Sequence, residues 1–364
     1  MDWILWLFGI LTVGYFAVLL LVLFSFFRLQ NNPQGVQPTV SVVVAAKNES
    51  ARLLPLLRSL EKLEYPPDRY EVIFVDDASN DDTPQILANA AQDKPNWRFL
   101  RVEQQSDKFH AKKTALATGV RAAKGEVIFV TDADCRVPPK WLSVMAARFD
   151  PQTAMVLGYS PLENKTGFLD KWLKFDNLFS AVTVMAPTVW GFPISSVGRN
   201  MAFRKSAYEQ IGGYEALTRF KSGDDIHLTE RMRDHRVGKI KACVHPDAFV
   251  YTQPPETGRE IIFQQIRKNS KILDKSPISA GFSVLLFAAY LLFYTLPLFD
   301  AGYLNLWAVV FGAKFLLEFV DLTVAARTFR VTELVPWFPL FQIVYPFYVM
   351  VLGLIGFLHL YRWK

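Results

Sequence analysis

The chain has 364 residues, 51% of them hydrophobic, with 40 Lys+Arg against 34 Asp+Glu and a formal net charge of +6. It holds only two cysteines, Cys135 and Cys243, so no disulfide framework is implied. The apolar residues gather at the two ends and the charges between them, which argues against a wholly soluble protein.

In chain order, Trp3 to Phe27 carries no charge and is long enough to cross a hydrocarbon core of ~30 Å. No basic stretch precedes it and no small-residue cleavage site follows it, so a membrane helix is expected rather than a cleaved signal peptide. Val40 to Ala46 is a β-branched run that predicts a strand buried on both faces of a parallel sheet. It leads into Lys47-Asn-Glu-Ser50 and a helical pattern through Leu53, Leu56, Leu57 and Leu60. Glu71 to Val75 predicts the next strand, ending in Asp76-Asp77. A helix from about Pro84 to Ala91, a short strand near Arg98 to Val102, a helix from Lys112 to Ala123 and a strand from Glu126 to Val130 follow. This alternation predicts an α/β fold with a mostly parallel sheet.

Phe168, Trp172, Phe175 and Phe179 form one apolar face of a further helix, suited either to a bilayer surface or to the domain's own core. Asp224 and Asp225 follow Gly223 and precede a helical segment, Ile226 to Arg231. The basic stretch Glu260 to Lys275 leads into the apolar C-terminal part, where Phe282 to Phe299, Leu306 to Val324 and Trp337 to Leu360 predict three more spans, four in all. Between Arg28 and Pro277 the basic surplus is six, equal to the net charge of the whole chain. Arg28, Arg267, Lys268, Lys271 and Lys275 flank the spans and are expected to hold this block in the cytoplasm. Four spans then leave Arg362 and Lys364 outside, against the charge rule, and an interfacial or re-entrant Pro336 to Pro346 portion is the alternative. Lys314 and Glu318 lie four apart, with Asp321 a turn further, and are expected to neutralise one another within the bundle rather than serve transport.

The strong strands each end in polar residues: Asn48 and Glu49, Asp76 and Asp77, Asp132 and Asp134. Ligands of open α/β sheets bind beyond the carboxyl ends of the strands, so one crevice is expected to collect these side chains. Two carboxylates one residue apart suit Mg²⁺ or Mn²⁺, which share their coordination with water and substrate phosphates; a solvated turn capped by Asp is the alternative. No Gly-x-Gly-x-x-Gly or Walker Lys-Ser/Thr motif occurs, which removes support from Rossmann and P-loop readings. For Asp224 and Asp225 the alternative to catalysis is an N-terminal pair complementing the helix dipole.

The ordered set Ala45-Ala-Lys-Asn-Glu49, Val75-Asp-Asp-Ala-Ser79, Lys112-Lys-Thr-Ala-Leu116, Asp132-Ala-Asp134, Gly198-Arg-Asn200, Gly223-Asp-Asp225 and Gln264-Gln-Ile-Arg267 resembles family 2 glycosyltransferases. It is most similar to their membrane-integrated branch, which includes cellulose, chitin and hyaluronan synthases and ceramide glucosyltransferases. The resemblance covers Val40 to Lys271. It implies a GT-A-like catalytic domain at 28–277, cytoplasmic and at the cell (inner) membrane, after a helix at 1–27 and before about three membrane helices at 278–364.

The resemblance also implies site roles. Asp77 and Glu49 contact the nucleoside, and Ala46 offers its backbone to the base. Asp132 lies near the donor, Asp134 and Asp132 hold Mg²⁺ or Mn²⁺, and Lys112 lies near the diphosphate or the base. Asp225 is the general base beside Asp224, with Gln264 and Arg267 on the acceptor and diphosphate side. A single displacement by an activated hydroxyl inverts the anomeric centre and needs no carboxylate nucleophile. The expected partners are a nucleotide sugar, UDP-sugar favoured, a lipid or glycan acceptor and membrane lipids, with no nucleic acid. Two departures from the family pattern occur: Ala117 replaces the usual Asn, and Lys268 replaces the Trp of processive synthases. The second weakens the alternative of a polysaccharide synthase; a nucleotide-sensing transporter or scaffold is a further alternative.

Overall fold

The computed structural model of the protein describes residues 2–29, 37–102, 111–217, 223–255, 257–270 and 277–357. Its strands are β1 (Val40–Ala46), β2 (Tyr70–Asp76), β3 (Trp97–Arg101), β4 (Val127–Asp132), β5 (Cys135–Arg136), β6 (Thr153–Gly158), β7 (Met201–Arg204), β8 (Lys239–Cys243) and β9 (Tyr251–Thr252). Its α-helices are α1 (Asp2–Arg28), α2 (Leu53–Leu60), α3 (Thr83–Gln92), α4 (Ala111–Ala122), α5 (Trp141–Ala146), α6 (Phe168–Val189), α7 (Lys205–Gln210), α8 (Asp224–Asp234), α9 (Gly258–Ser270), α10 (Pro277–Phe299), α11 (Leu304–Thr328) and α12 (Phe338–Phe357). The chain separates into two compact units. One comprises Leu29–Thr166 and Asp176–Pro254; the other comprises Met1–Arg28, Gly167–Phe175 and Pro255–Lys364.

The first unit is built on a seven-stranded sheet in the order β3-β2-β1-β4-β7-β6-β8. Strands β3, β2, β1 and β4 run parallel, as do β6 and β8; β7 is antiparallel to both its neighbours. The sheet is therefore mostly parallel and mixed at β7. Val42, Val43 and Val44 are fully buried, as a β-branched run covered on both faces requires. Leu53, Leu56, Leu57 and Leu60 of α2 join the core on one face, with Phe129 edge-on to Trp141 at 5.2 Å and Phe74 edge-on to Trp97 at 5.3 Å. Strand β4 runs two residues past the predicted end and includes Asp132, so only Asp134 stands in the turn beyond the strand. The register explains the extension: Ala45 of β1 pairs with Asp132 and keeps the ladder intact to that point.

The second unit contains α1 and α9 to α12, with the first residues of α6. Two of its helical stretches are long and apolar enough to cross a membrane, Trp3–Arg28 and Thr332–Leu352. A further pair, Val284–Phe299 and Ala301–Thr328, meets that test together but is bent by 119° at its break. Among the described residues two helices, or three if the bent pair counts as one span, are long and apolar enough to cross a membrane, and the expected segments Phe282–Phe299 and Leu306–Val324 lie in α10 and α11. The polar step at Asp300, whose side chain accepts from the Gly302 N–H, turns the chain between α10 and α11. The portion from Pro336 to Pro346 lies in helical structure, and Arg362 and Lys364 fall outside the described residues.

Within this unit Phe8, Leu11, Tyr15 and Leu19 of α1 pack with Ala289, Phe293 and Leu296 of α10. Lys314 and Glu318 form the expected pair at 2.9 Å, both buried. Tyr15 and the Gln342 amide also donate to Glu318. Asp321 is buried beside them with neither carboxylate oxygen hydrogen-bonded among the described residues. The aromatic stripe at the start of α6 turns to α12: Phe175 lies 4.6 Å from Phe341 and 5.1 Å from Tyr345, and Trp172 lies 5.4 Å from Phe341.

Candidate active site

The site is built at the carboxyl ends of β1, β2 and β4, where the parallel ladders stop and the chain turns. Ala46, the last residue of β1, is buried and its carbonyl accepts the Asp77 N–H at 2.9 Å, which joins the first two strand ends. Asn48 adopts φ 54° and Ala78 φ 51°, so both loops pass through left-handed turns and then bond to each other. Ser79 accepts from the Asn48 N–H at 2.9 Å, Asn48 accepts from the Asn80 N–H at 2.9 Å, and Thr83 accepts from the Glu49 N–H at 2.8 Å. Glu49 is fixed by its backbone in this way while its side chain stays half-buried.

Asp77 is buried, with one oxygen 3.6 Å from Lys47 Nζ and the other without a hydrogen-bond partner among the described residues. A buried carboxylate oxygen left open is an acceptor awaiting a donor, such as a ribose hydroxyl or a base N–H. Burial raises the Asp77 pKa above the ordinary carboxylate range, against the pull of Lys47. Asp134 is raised by burial and then by the Asp132 carboxylate, while Arg199 partly offsets its charge. Glu49 is raised by burial and then by Asp134, with Asp132 adding to the same effect. Glu49, Asp132 and Asp134, at the ends of β1 and β4, thus share one electrostatic field.

Two consecutive lysines at the start of α4 tie this end of the sheet to α8. Lys112 Nζ is 2.7 Å from Asp132 Oδ1, and Lys113 Nζ, fully buried, is 3.2 Å from Asp224 Oδ1. Lys112 is also within electrostatic reach of Asp224 and Asp225. The two aspartates occupy the first turn of α8, after Gly223 at φ 84°, a left-handed position that a glycine takes without strain. Gly223 therefore stands at the cap and the aspartates inside the helix, where the dipole favours their charge. Burial raises Asp224, with Lys113 opposing. Asp225 Oδ2 accepts the Gly198 N–H at 2.8 Å; a Cβ at residue 198 would lie 3.3 Å from Asp225 Cβ, so glycine permits the approach.

The Gly198-Arg-Asn200 segment, to which sequence reading gave no individual roles, has three. Gly198 holds Asp225, Arg199 bonds Ser160 at 2.6 Å and faces the field of Asp134, and buried Asn200 anchors the segment. Asn200 accepts from Trp141 Nε1 at 3.0 Å and donates to the carbonyls of Tyr159 and Ala248 at 2.6 and 2.8 Å. Lys113 was likewise missed; a second lysine beside Lys112 reads as solvated, and only packing shows it buried. His227 is buried in α8, 3.5 Å from Glu230.

The structure thus brings together Ala46, Glu49, Asp77, Lys112, Asp132, Asp134, Asp224 and Asp225 in the first unit. Gln264 is exposed on α9 of the second unit, and the Arg267 and Lys268 side chains, with Lys271 and Lys275, lie outside the described residues. No group of three or more His, Cys, Asp or Glu side chains is arranged to hold a metal among the described residues. The chemistry of Asp132 and Asp134 still fits a divalent cation of the Mg²⁺ or Mn²⁺ kind, which takes one or two carboxylates and completes its shell with water and phosphate oxygens. Their mutual repulsion is what such a cation would relieve.

Residues 41–212 match Glycosyl transferase family 2. The beta-monoglucosyldiacylglycerol synthase of Trichormus variabilis is 32% identical over 207 residues, 56% of this chain and 43% of that protein. The probable glycosyltransferase YdaM of Bacillus subtilis is 28% identical over 226 residues, 60% of this chain and 52% of that protein. The chain thus spans about half the length of the curated relatives it matches. Among solved structures, the mannosyltransferase PcManGT from Pyrobaculum calidifontis, in complex with GDP-Man and Mn²⁺, has a TM-score of 0.55 at 20% identity, covering 92% of this chain and 99% of that one, a likeness of fold. Residues 41–212, which hold every strand of the seven-stranded sheet but β8, match glycosyltransferase family 2, and the sheet with its crevice at the strand ends has a GT-A-like fold.

Proposed function

We propose that the protein is a membrane-integrated inverting glycosyltransferase that moves a sugar from a nucleotide diphosphate donor, UDP-sugar favoured, to the hydroxyl of a lipid acceptor. The observation that carries this reading is the pair of adjacent lysines linking Asp132 at the end of β4 to Asp224 at the start of α8. That link brings donor-side carboxylates and a base-side pair, some ninety residues apart in sequence, into one electrostatic unit. Asp225, fixed by the Gly198 N–H, takes the proton of the acceptor hydroxyl as its oxygen attacks the anomeric carbon. The bond to the leaving diphosphate breaks on the opposite face, and one displacement inverts the centre.

Asp77 and Glu49 receive the nucleoside, the Ala46 backbone lies against the base, and Lys112 offsets charge on the diphosphate. Asp134 and Asp132 would hold Mg²⁺ or Mn²⁺, which supplies positive charge to the departing diphosphate. Gln264 and Arg267 are assigned to the acceptor and the diphosphate by resemblance alone. The basic residues that flank the apolar helices support a cytoplasmic family 2 domain at the inner membrane. The names of the diacylglycerol-directed relatives support a lipid acceptor.

The test is incubation of the full chain, in lipid nanodiscs containing diacylglycerol, with a panel of labelled nucleotide sugars and Mg²⁺ or Mn²⁺. Lipid extracts analysed by mass spectrometry are expected to show a lipid one sugar heavier with one donor, and NMR of the product an inverted anomeric centre. Absence of nucleotide diphosphate release with every donor from folded protein overturns the reading.

A further inference from the structure

At the other end of the same sheet lies a second concavity that sugar transfer does not use. The donor crevice sits at the carboxyl ends of β1, β2 and β4. Arg204 at the end of β7 pairs instead with Val127 at the start of β4, and Thr153 and Lys239 open β6 and β8 in register. Arg204, Thr153 and Lys239, with the loop after α8, line a cleft of about 420 Å³. Its wall contains three basic residues, Arg204, Arg236 and Lys239, and no Asp or Glu. Such a volume falls within the roughly 300–1,000 Å³ of small-molecule sites and exceeds what a single inorganic phosphate fills.

The three cations differ in what already satisfies them. Arg204 is committed: it donates to the carbonyls of Thr153 at 3.0 Å and Asp150 at 2.8 Å and pairs with Glu126. The side chains of Arg236 and Lys239 are exposed and make no hydrogen bond or ion pair among the described residues. Arg236 also occupies a left-handed position, φ 53°, just past the end of α8, where the Val237 N–H returns to the Met232 carbonyl. Helices usually place glycine there because any other side chain is strained. Arg236 at this helix end thus shares a cleft wall with Lys239, and neither cation has an acidic partner there. The Ser206 hydroxyl and Gln210 amide in the same wall add neutral donors.

We propose that this cleft binds an organic phosphate, its anionic group taken by Arg236 and Lys239. Guanidinium and ammonium groups together suit phosphate oxygens through charge-assisted hydrogen bonds, and a wall with basic but no acidic residues disfavours cations. The same chemistry is offered by a soluble phosphate ester and by the headgroup of an anionic phospholipid. The inference stands independently of the transferase reading.

The test uses the full chain in nanodiscs of neutral phosphatidylcholine and measures pyrophosphate binding by calorimetry, on the unaltered protein and on Arg236→Gly/Lys239→Gln. The expected result is loss of one class of pyrophosphate site, or its weakening by roughly tenfold or more, with nucleotide binding at the donor crevice retained. Glycine relieves the left-handed strain at residue 236, so the unliganded variant is expected to melt no lower than the parent, which separates lost binding from lost folding. Repeating the measurement in discs containing phosphatidylglycerol assigns the source. Occlusion of the site in those discs identifies a lipid headgroup, and undiminished pyrophosphate binding identifies a soluble phosphate. If the variant binds pyrophosphate with the same affinity and number of sites as the parent, the proposal fails.

Discussion

Two groupings of lysine and carboxylate, one at the head of α4 and one inside α11, use the same side chains to opposite ends. In the family 2 domain, Lys112 and Lys113 each have a carboxylate partner, and Asp134, Glu49 and Asp225 carry further negative charge around them. Water, a cation or a substrate can reach that excess. In the helical unit, Lys314 answers Glu318, which also receives Tyr15 and Gln342, and Asp321 is left without a hydrogen bond among the described residues. There the excess is enclosed by side chains. Surplus charge is a working part of a site where ligands can enter, and a cost to stability where they cannot.

Removing the proposed base should give the largest effect and the clearest contrast. Asp225→Asn is expected to lower turnover by roughly 10²–10⁴-fold, measured as nucleotide release, while donor affinity by calorimetry stays within the error of the parent. Equal loss of both would make Asp225 structural and erase the difference between the two groupings.

In the helical unit the expected loss is of stability. Lys314→Met leaves Glu318 buried without its cation and should cost about 3–5 kcal/mol, read as a lower melting temperature in detergent. Lys314→Met/Glu318→Gln should recover most of it, because both charges leave together. Failure of the double variant to recover would mean that Lys314 serves Asp321 as much as Glu318.

A smaller effect is expected at Lys112, whose side chain is 54% exposed. Lys112→Met should reduce kcat/KM by about tenfold through loss of the proposed diphosphate contact and shift the melting temperature little, since exposed pairs contribute ~0–1 kcal/mol. A large stability loss would make it a structural lysine like Lys113.

The smallest expected change is a gain. Asp134 has its pKa raised in the folded protein, by burial and then by Asp132. A carboxylate raised on folding favours the fold where it is protonated and opposes it once ionised. Its stabilising contribution is present at and below the ordinary carboxylate range and is lost as pH rises through the raised value. Asp134→Asn should therefore melt slightly higher at neutral pH without added metal, with the gain fading as pH falls, and should lose any stabilisation by Mn²⁺. A variant that melts lower and keeps its response to Mn²⁺ would assign the cation elsewhere.

Much of the architecture is legible in the chain because strand and helix signals are local. The Val40 to Ala46 run, the leucines of α2 and the Lys314–Glu318 spacing each follow from side-chain periodicity and emerged where expected. The 119° bend between α10 and α11 was not legible, because apolar length does not fix the angle at which two helices meet. The antiparallel insertion of β7 between β4 and β6 was also hidden, since pairing partners lie far apart in sequence.

The same division holds within the site. Sequence alone determined which carboxylates end the strands and that Asp224 and Asp225 open a helix, since these depend on neighbours within a turn or a strand. Tertiary structure alone decided that Lys113, and not only its neighbour, enters the electrostatics, that Gly198 steadies Asp225, and that Arg236 and Lys239 share a cleft without acidic residues. Burial and charge pairing depend on distances between segments tens to hundreds of residues apart, and the folded sheet sets those distances.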